Sequence, residues 1–139
     1  MSDSNLTKNA LAQSMKNLMR RRPFEKISVS DICAECGINR KSFYYHFRDV
    51  YDLTAWIFDQ SVDDCIPLRE GTRGERGILI ALQRIWADEV FYTRALAEDS
   101  QNALGRHFLK HSVELFTRTL QLFPGHEELT DEEQFAISY

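Results

Sequence analysis

The stretch Ser28-Val-Ser-Asp-Ile-Cys-Ala-Glu-Cys-Gly-Ile-Asn-Arg-Lys-Ser-Phe-Tyr-Tyr-His-Phe47 decides the fold. Ser28 and Asp31 have the spacing of a capping box, so a short helix is expected over Val29–Cys36. Gly37 follows as a left-handed stop, the backbone conformation that only glycine adopts at little cost. Asn39 is a good N-cap for a second short helix reaching about Phe47. Two short helices joined by Gly37-Ile38-Asn39 form a helix-turn-helix. Ile32 and Ile38 are expected to fill the angle between them, and the small Cys36 to let them approach. Phe43 and Phe47 have the spacing of core residues that pack the second helix on what precedes it.

Outward from this motif the chain reads as helix throughout. Leu11, Met15, Leu18 and Met19 share one face of a helix expected from about Leu6 to Arg22, and Pro23 stops it. Arg20, Arg21 and Arg22 fall in its last turn, where cations suit the helix dipole. A fourth helix is expected from Arg48–Asp49, carrying Leu53, Trp56, Ile57 and Phe58. Pro67, Gly71, Gly74 and Gly77 suggest a linker over about residues 66–76. Ile78, Leu82, Ile85 and Trp86 then trace a helix face, Phe91–Glu98 a short helix, and Asn102–Phe123 a long one. The long helix has two apolar stripes, through Leu109, Val113 and Phe116 and through Phe108 and Leu115, so it is expected to be wedged inside a bundle. Pro124–Gly125 ends it. Thr130 and Glu133 start another helix with Phe135, Ala136, Ile137 and Tyr139. About nine residues make a marginal helix, which suggests a shortened C-terminus. No sustained period of two marks a strand, and the expected class is all-α.

Composition agrees with a folded protein: 43% of the 139 residues are apolar and 27% charged. No apolar run approaches the roughly 20 residues that span a bilayer, and the polar start offers no export signal. The three cysteines are therefore expected as reduced thiols in a cytoplasm. The net charge of −4 conceals an asymmetry. Residues 1–48 carry nine Lys/Arg against four acids, and the remainder eight against 17. A basic head on an acidic body suits a polyanion at one end.

In a helix-turn-helix the second helix lies in the major groove with its N-terminal residues at base edges. Here that end offers Asn39, Arg40, Lys41 and Ser42, followed by Tyr44, Tyr45 and His46. These side chains can serve phosphates and purine edges. Tyr45, expected to point outward, is the candidate specificity residue, while His46 can alternatively cap its helix. Cys33 and Cys36 form a Cys-x-x-Cys but lack the second pair that zinc needs, and are read as small core residues. His107, His111 and Glu114 lie on one face of the long helix and are read as a polar face, not a metal site. No phosphate loop, nucleophile motif or zinc-hydrolase motif is present, so neither an enzyme nor a cofactor is expected.

The quoted stretch, with Arg22-Pro-Phe-Glu-Lys-Ile27 before it and Arg48-Asp-Val-Tyr-Asp-Leu53 after it, resembles the helix-turn-helix signature of the TetR family of regulators. A weaker similarity, through Cys36-Gly-Ile-Asn-Arg, Tyr51-Asp-Leu, Trp56-Ile-Phe58 and Phe91-Tyr92, is to the branch containing the dihydroxyacetone-kinase regulon activator. The resemblance implies a helix-turn-helix DNA-binding domain over 1–50 and a helical sensing and pairing domain over 51–139, lacking its last helices. It implies a homodimer on a palindromic operator, most often a repressor, controlled by a small-molecule effector and free of membrane. Tyr44 and His46 would meet the DNA backbone. With Ser28, the expected DNA-contacting set is Ser28, Asn39, Arg40, Lys41, Ser42, Tyr44, Tyr45 and His46. Where this chain has Val50 the family commonly has lysine, which removes a phosphate contact. That departure keeps open an alternative, a co-regulator of the same fold that acts through a protein partner without binding DNA. Trp56, Trp86, Phe91, Tyr92, Phe108 and Phe116 either line an effector pocket or are core, with core favoured for most of them.

Overall fold

The computed structural model describes residues 3–63, 74–97 and 103–120, and these form seven α-helices and one 3-10 turn. The expected linker between residues 66 and 73, the end of the long helix and the C-terminal Thr130–Tyr139 helix lie outside the described residues. The helices are α1 (Asp3–Arg21), α2 (Val29–Cys36), α3 (Arg40–His46), α4 (Val50–Asp63), α5 (Gly74–Ala87), α6 (Glu89–Leu96) and α7 (Ala103–Leu120). No strand occurs among the described residues, so the all-α expectation holds.

Helix α1 begins one turn earlier than its apolar stripe and is the spine of the head. Leu11, Met15, Leu18 and Met19 are buried on one face, and Ser14 joins them by donating to Ala10 O at 2.9 Å. Pro23 cannot donate a helical hydrogen bond, so the chain leaves α1 there. It makes a single 3-10 turn over Phe24–Lys26 and buries Phe24 edge-on to Tyr51, ring centroids 5.0 Å apart. Helix α2 packs extensively against α1. Two ion pairs reinforce that contact: Arg21 to Glu35 at 2.5 Å and Arg22 to Asp31 at 3.3 Å. The arginine run therefore does more than end a helix, since two of its three members bind α2's acids.

Helix α4 is shared by head and body. It packs on α1 on one side and on α5 and α7 on the other. Leu53, Thr54, Ile57 and Phe58 are buried, and the Thr54 hydroxyl is satisfied by donating to Val50 O at 2.8 Å. One apolar core runs through both parts, from Leu11 and Phe43 through Phe58 to Phe91, Tyr92, Ala95 and Leu104. Lys16 crosses the same boundary to Asp88 at 2.5 Å, just ahead of α6.

Two expectations need correction. Gly74 opens α5 and Gly77 lies within it, so neither belongs to a linker. Helix α7 is not enclosed on both sides: Leu104 is buried and Phe108 packs on the core, but Leu109 is exposed.

Candidate nucleic-acid interface

The helix-turn-helix forms as its residues dictate. Ser28 Oγ accepts from Asp31 N–H at 3.2 Å, and Asp31 Oδ2 accepts from both Ser28 N–H at 2.9 Å and Ser28 Oγ at 2.6 Å. This reciprocal box fixes the start of α2. The hydrogen bonds to Ser28 hold the Asp31 carboxyl below its ordinary range, aided by Arg22. At the other end Gly37 has φ 70° and ψ 20°, the left-handed conformation the turn requires. Asn39 then sits extended and its Oδ1 accepts from Ser42 N–H at 2.8 Å. That bond satisfies one of the orphan donors at the start of α3.

Helix α3 is pinned on one side and free on the other. Phe43 and Phe47 are buried, their ring centroids 5.9 Å apart, and Ile32 is buried beneath. On the opposite side Arg40, Lys41, Tyr44 and Tyr45 are exposed. Their spacing of i, i+1, i+4 and i+5 makes one continuous strip on a helix. Tyr45 is 83% exposed and the most open large apolar residue among those described. The strip is also ordered. The Arg40 guanidinium lies 5.9 Å from the Tyr44 ring centre, Tyr44 meets Phe43 edge-on, and Tyr45 meets His46 edge-on at 5.0 Å. Among the described residues no acid stands within ion-pair distance of Arg40 or Lys41, whereas Lys16, Arg21 and Arg22 are paired.

The rest of the expected set is placed as follows. Ser28 and Asn39 are exposed at the two helix starts with their side-chain oxygens engaged as caps. Ser42 and His46 are half-buried flanks of the strip. Val50 is half-buried and packs on the core. Burial, foremost, and the neighbouring Cys36 push the Cys33 thiol up, so it stays protonated. Cys36 Sγ approaches Ile32 O at 3.3 Å, as a small packing residue would.

Among the described residues, the aromatic side chains of the body pack mainly on one another. Phe58 meets Phe91, Tyr92 and Phe108 at centroid distances of 5.5, 5.4 and 5.4 Å, a packed cluster. Trp56 is apart from it, edge-on to Phe47 with Lys8 over its ring. Trp86 is 78% exposed and borders a cleft of about 150 Å³ with Lys16, Arg20 and Asp88. The Phe116 side chain lies outside what is described.

Two groups escaped the sequence reading. Arg48 lies outside the expected contact set, and its side chain is 87% exposed at the corner between α3 and α4. His107 and His111 were read as a polar face, and they meet Asp59 and Asp63 of α4 at 2.8 and 3.2 Å. The signal was the i, i+4 repeat of acids on α4 matching that of histidines on α7.

Residues 15–54, the segment whose geometry has just been given, match the family described as bacterial regulatory proteins, tetR family. Over these residues the chain is similar to that family. The longer comparison is with the HTH-type dhaKLM operon transcriptional activator DhaS of Lactococcus lactis subsp. lactis (strain IL1403). It is 29% identical over 100 residues, 71% of this chain and 54% of the relative. The chain thus spans about half the length of that curated relative. A solved structure, the dihydroxyacetone kinase operon activator DhaS, shares the fold with a TM-score of 0.72. It is 23% identical and covers 95% of this chain and 75% of that one. Both comparisons are with DhaS activators, the first a similarity of sequence and the second of fold. Among the described residues no helix is long and apolar enough to cross a membrane, and no group of three metal-ligating side chains is placed to hold an ion.

Proposed function

We propose that this chain is a DNA-binding transcription regulator that inserts α3 into the major groove. The observation that carries the reading is the strip of Arg40, Lys41, Tyr44 and Tyr45, exposed on a helix whose other side is locked by Phe43 and Phe47. A rigid rod with cations and phenols on its open face can donate to phosphates and purine edges at once. In this reading residues 1–50 bind DNA in the cytoplasm and residues 51–139 carry pairing and sensing. Two copies would set their α3 helices about 34–36 Å apart on a palindromic operator.

The relative's name makes it an activator, so activation replaces the repression that the family at large suggested. Control by a small molecule rests on the family resemblance. The Phe58 cluster is packed, and the cleft beside Trp86, at about 150 Å³, falls below the roughly 300 Å³ at which ligand pockets begin.

The test is a salt titration of binding with duplexes selected from a random pool. Lys41→Ala is expected to weaken all sequences alike and to lower the salt slope by about one. Tyr45→Ala is expected to change which duplexes are selected. Binding that survives a Lys41→Ala/Tyr44→Ala double substitution unchanged would overturn the assignment. The uncharged Val50 favours a second reading, a protein-binding co-regulator, and that reading expects no shifted complex with any duplex at low salt.

A further inference from the structure

We propose that Arg48 grips a DNA phosphate at the corner between α3 and α4, extending the contact strip beyond the end of the recognition helix. The inference rests on the reading of α3 as the groove-binding helix.

The backbone holds this corner still. Phe47 N–H donates to Phe43 O at 2.9 Å and closes α3. Arg48 N–H donates to Asp52 Oδ2 at 3.0 Å, and Asp52 N–H donates to Asp49 Oδ1 at 2.8 Å. Leu53 N–H reaches Asp49 O at 3.2 Å, so Asp49 stands as the cap just before α4. Arg48 therefore stands between the buried Phe47 and the half-buried Val50 with its own amide fixed.

Its side chain, by contrast, is open. The side chain is 87% exposed and its acidic neighbour, Asp52 Oδ1, is 3.8 Å from the guanidinium. A solvent-exposed pair at that distance contributes little, so Asp52 aims Arg48 without neutralising it. The other oxygen of Asp52 is occupied by the Arg48 amide. Arg21 and Arg22, by contrast, are paired, with Glu35 and Asp31. Asp49 and Asp52 are acids at the same corner, but one oxygen of each is held by a backbone amide, and Arg48 is the cation that stands with them. A groove helix presents its N-terminal residues to bases. A residue just past its C-terminal end faces the groove wall, where phosphates run, and a guanidinium fork matches two phosphate oxygens.

The experiment uses the full chain, one selected duplex and one unrelated duplex, with affinities measured from 50 to 200 mM salt. Arg48→Ala is expected to weaken both duplexes alike, roughly tenfold at 0.1 M salt, and to lower the salt slope by about 0.9, the value of one phosphate. Arg48→Lys is expected to restore the slope and only part of the affinity, because the fork is lost. A slope unchanged in Arg48→Ala while Lys41→Ala lowers it overturns the proposal and leaves the reading of α3 standing. Failure of the unaltered protein to bind any duplex overturns both.

Discussion

His107 Nε2 lies 2.8 Å from Asp59 Oδ1 and joins α7 to α4 across 48 residues of chain. One turn further along, His111 Nε2 stands 3.2 Å from Asp63 Oδ1, with its Nδ1 3.7 Å from Asp59. Two i, i+4 pairs thus form a ladder of two rungs on the helix that also packs against α1. Because α4 touches both head and body, the ladder fixes the face that α4 turns to each. His107→Ala and Asp59→Ala are each expected to lower unfolding free energy by roughly 0.5–1 kcal/mol, since the groups are partly exposed and screened. A double-mutant cycle by denaturant unfolding should return most of that as coupling. Strictly additive losses would show that the two side chains are neighbours without an interaction.

The buried rings and the open one make a sharp contrast. Phe58 is fully buried and touches three other aromatic rings. Phe58→Ala is expected to cost about 3–5 kcal/mol through lost transfer energy and a residual cavity, enough to unfold a marginal protein. Trp86, 78% exposed, should tolerate alanine within about 0.5 kcal/mol. Thermal melts of the two variants check this. A large loss in Trp86→Ala would mean that the indole is covered in solution.

The head was legible in the sequence because each of its signals is local. Ser28 with Asp31, Gly37, and Asn39 with Ser42 are contacts within three residues or single-residue conformations, and all form as their residue types require. The exposed strip followed from helix phase once Phe43 and Phe47 were read as core. What the sequence did not show depends on which helices become neighbours. Arg21 finding Glu35, Lys16 finding Asp88 and His107 finding Asp59 are all decided by packing. The aromatic set failed to separate into core and surface for the same reason. Phe91 and Trp86 are alike in a periodic pattern, and the packing of α6 against Phe58 of α4 and Lys16 of α1 covers the first while the second stays open.

Asn39 caps α3 and stands at the end of the face proposed to meet DNA, and a pair of substitutions separates the observed cap from the proposed contact. Its Oδ1 caps α3, and a helix of seven residues depends heavily on such a cap. Asn39→Ala is expected to cost about 1 kcal/mol and to weaken DNA binding with it. Asn39→Asp keeps a capping oxygen, so stability should stay within a few tenths of a kcal/mol. It also sets a negative charge beside Arg40 at the face proposed to meet DNA, so affinity should fall at low salt. Equal affinity for Asn39→Asp and the unaltered protein would show that this end of α3 stays away from phosphate.

The capping box at Ser28 gives the head a defined response to acid. Hydrogen bonds from the Ser28 hydroxyl and amide hold the Asp31 carboxyl below its ordinary range, and Arg22 adds to the effect. A carboxyl whose folded value is depressed binds its proton more readily in the unfolded chain. Stability therefore rises with pH through the window between the two values. The contribution of Asp31 is complete above the ordinary aspartate value of about 3.9 and is lost as pH falls through its lowered folded value. Asp31→Ala should melt below the unaltered protein at neutral pH, and the gap should close on acidification below about pH 4. Ser28→Ala removes the largest cause and should return the Asp31 carboxyl toward its ordinary value, which an NMR titration of that carboxyl reads directly. A gap that persists unchanged to the acid limit would show that Asp31 supports α2 through packing and not through its charge.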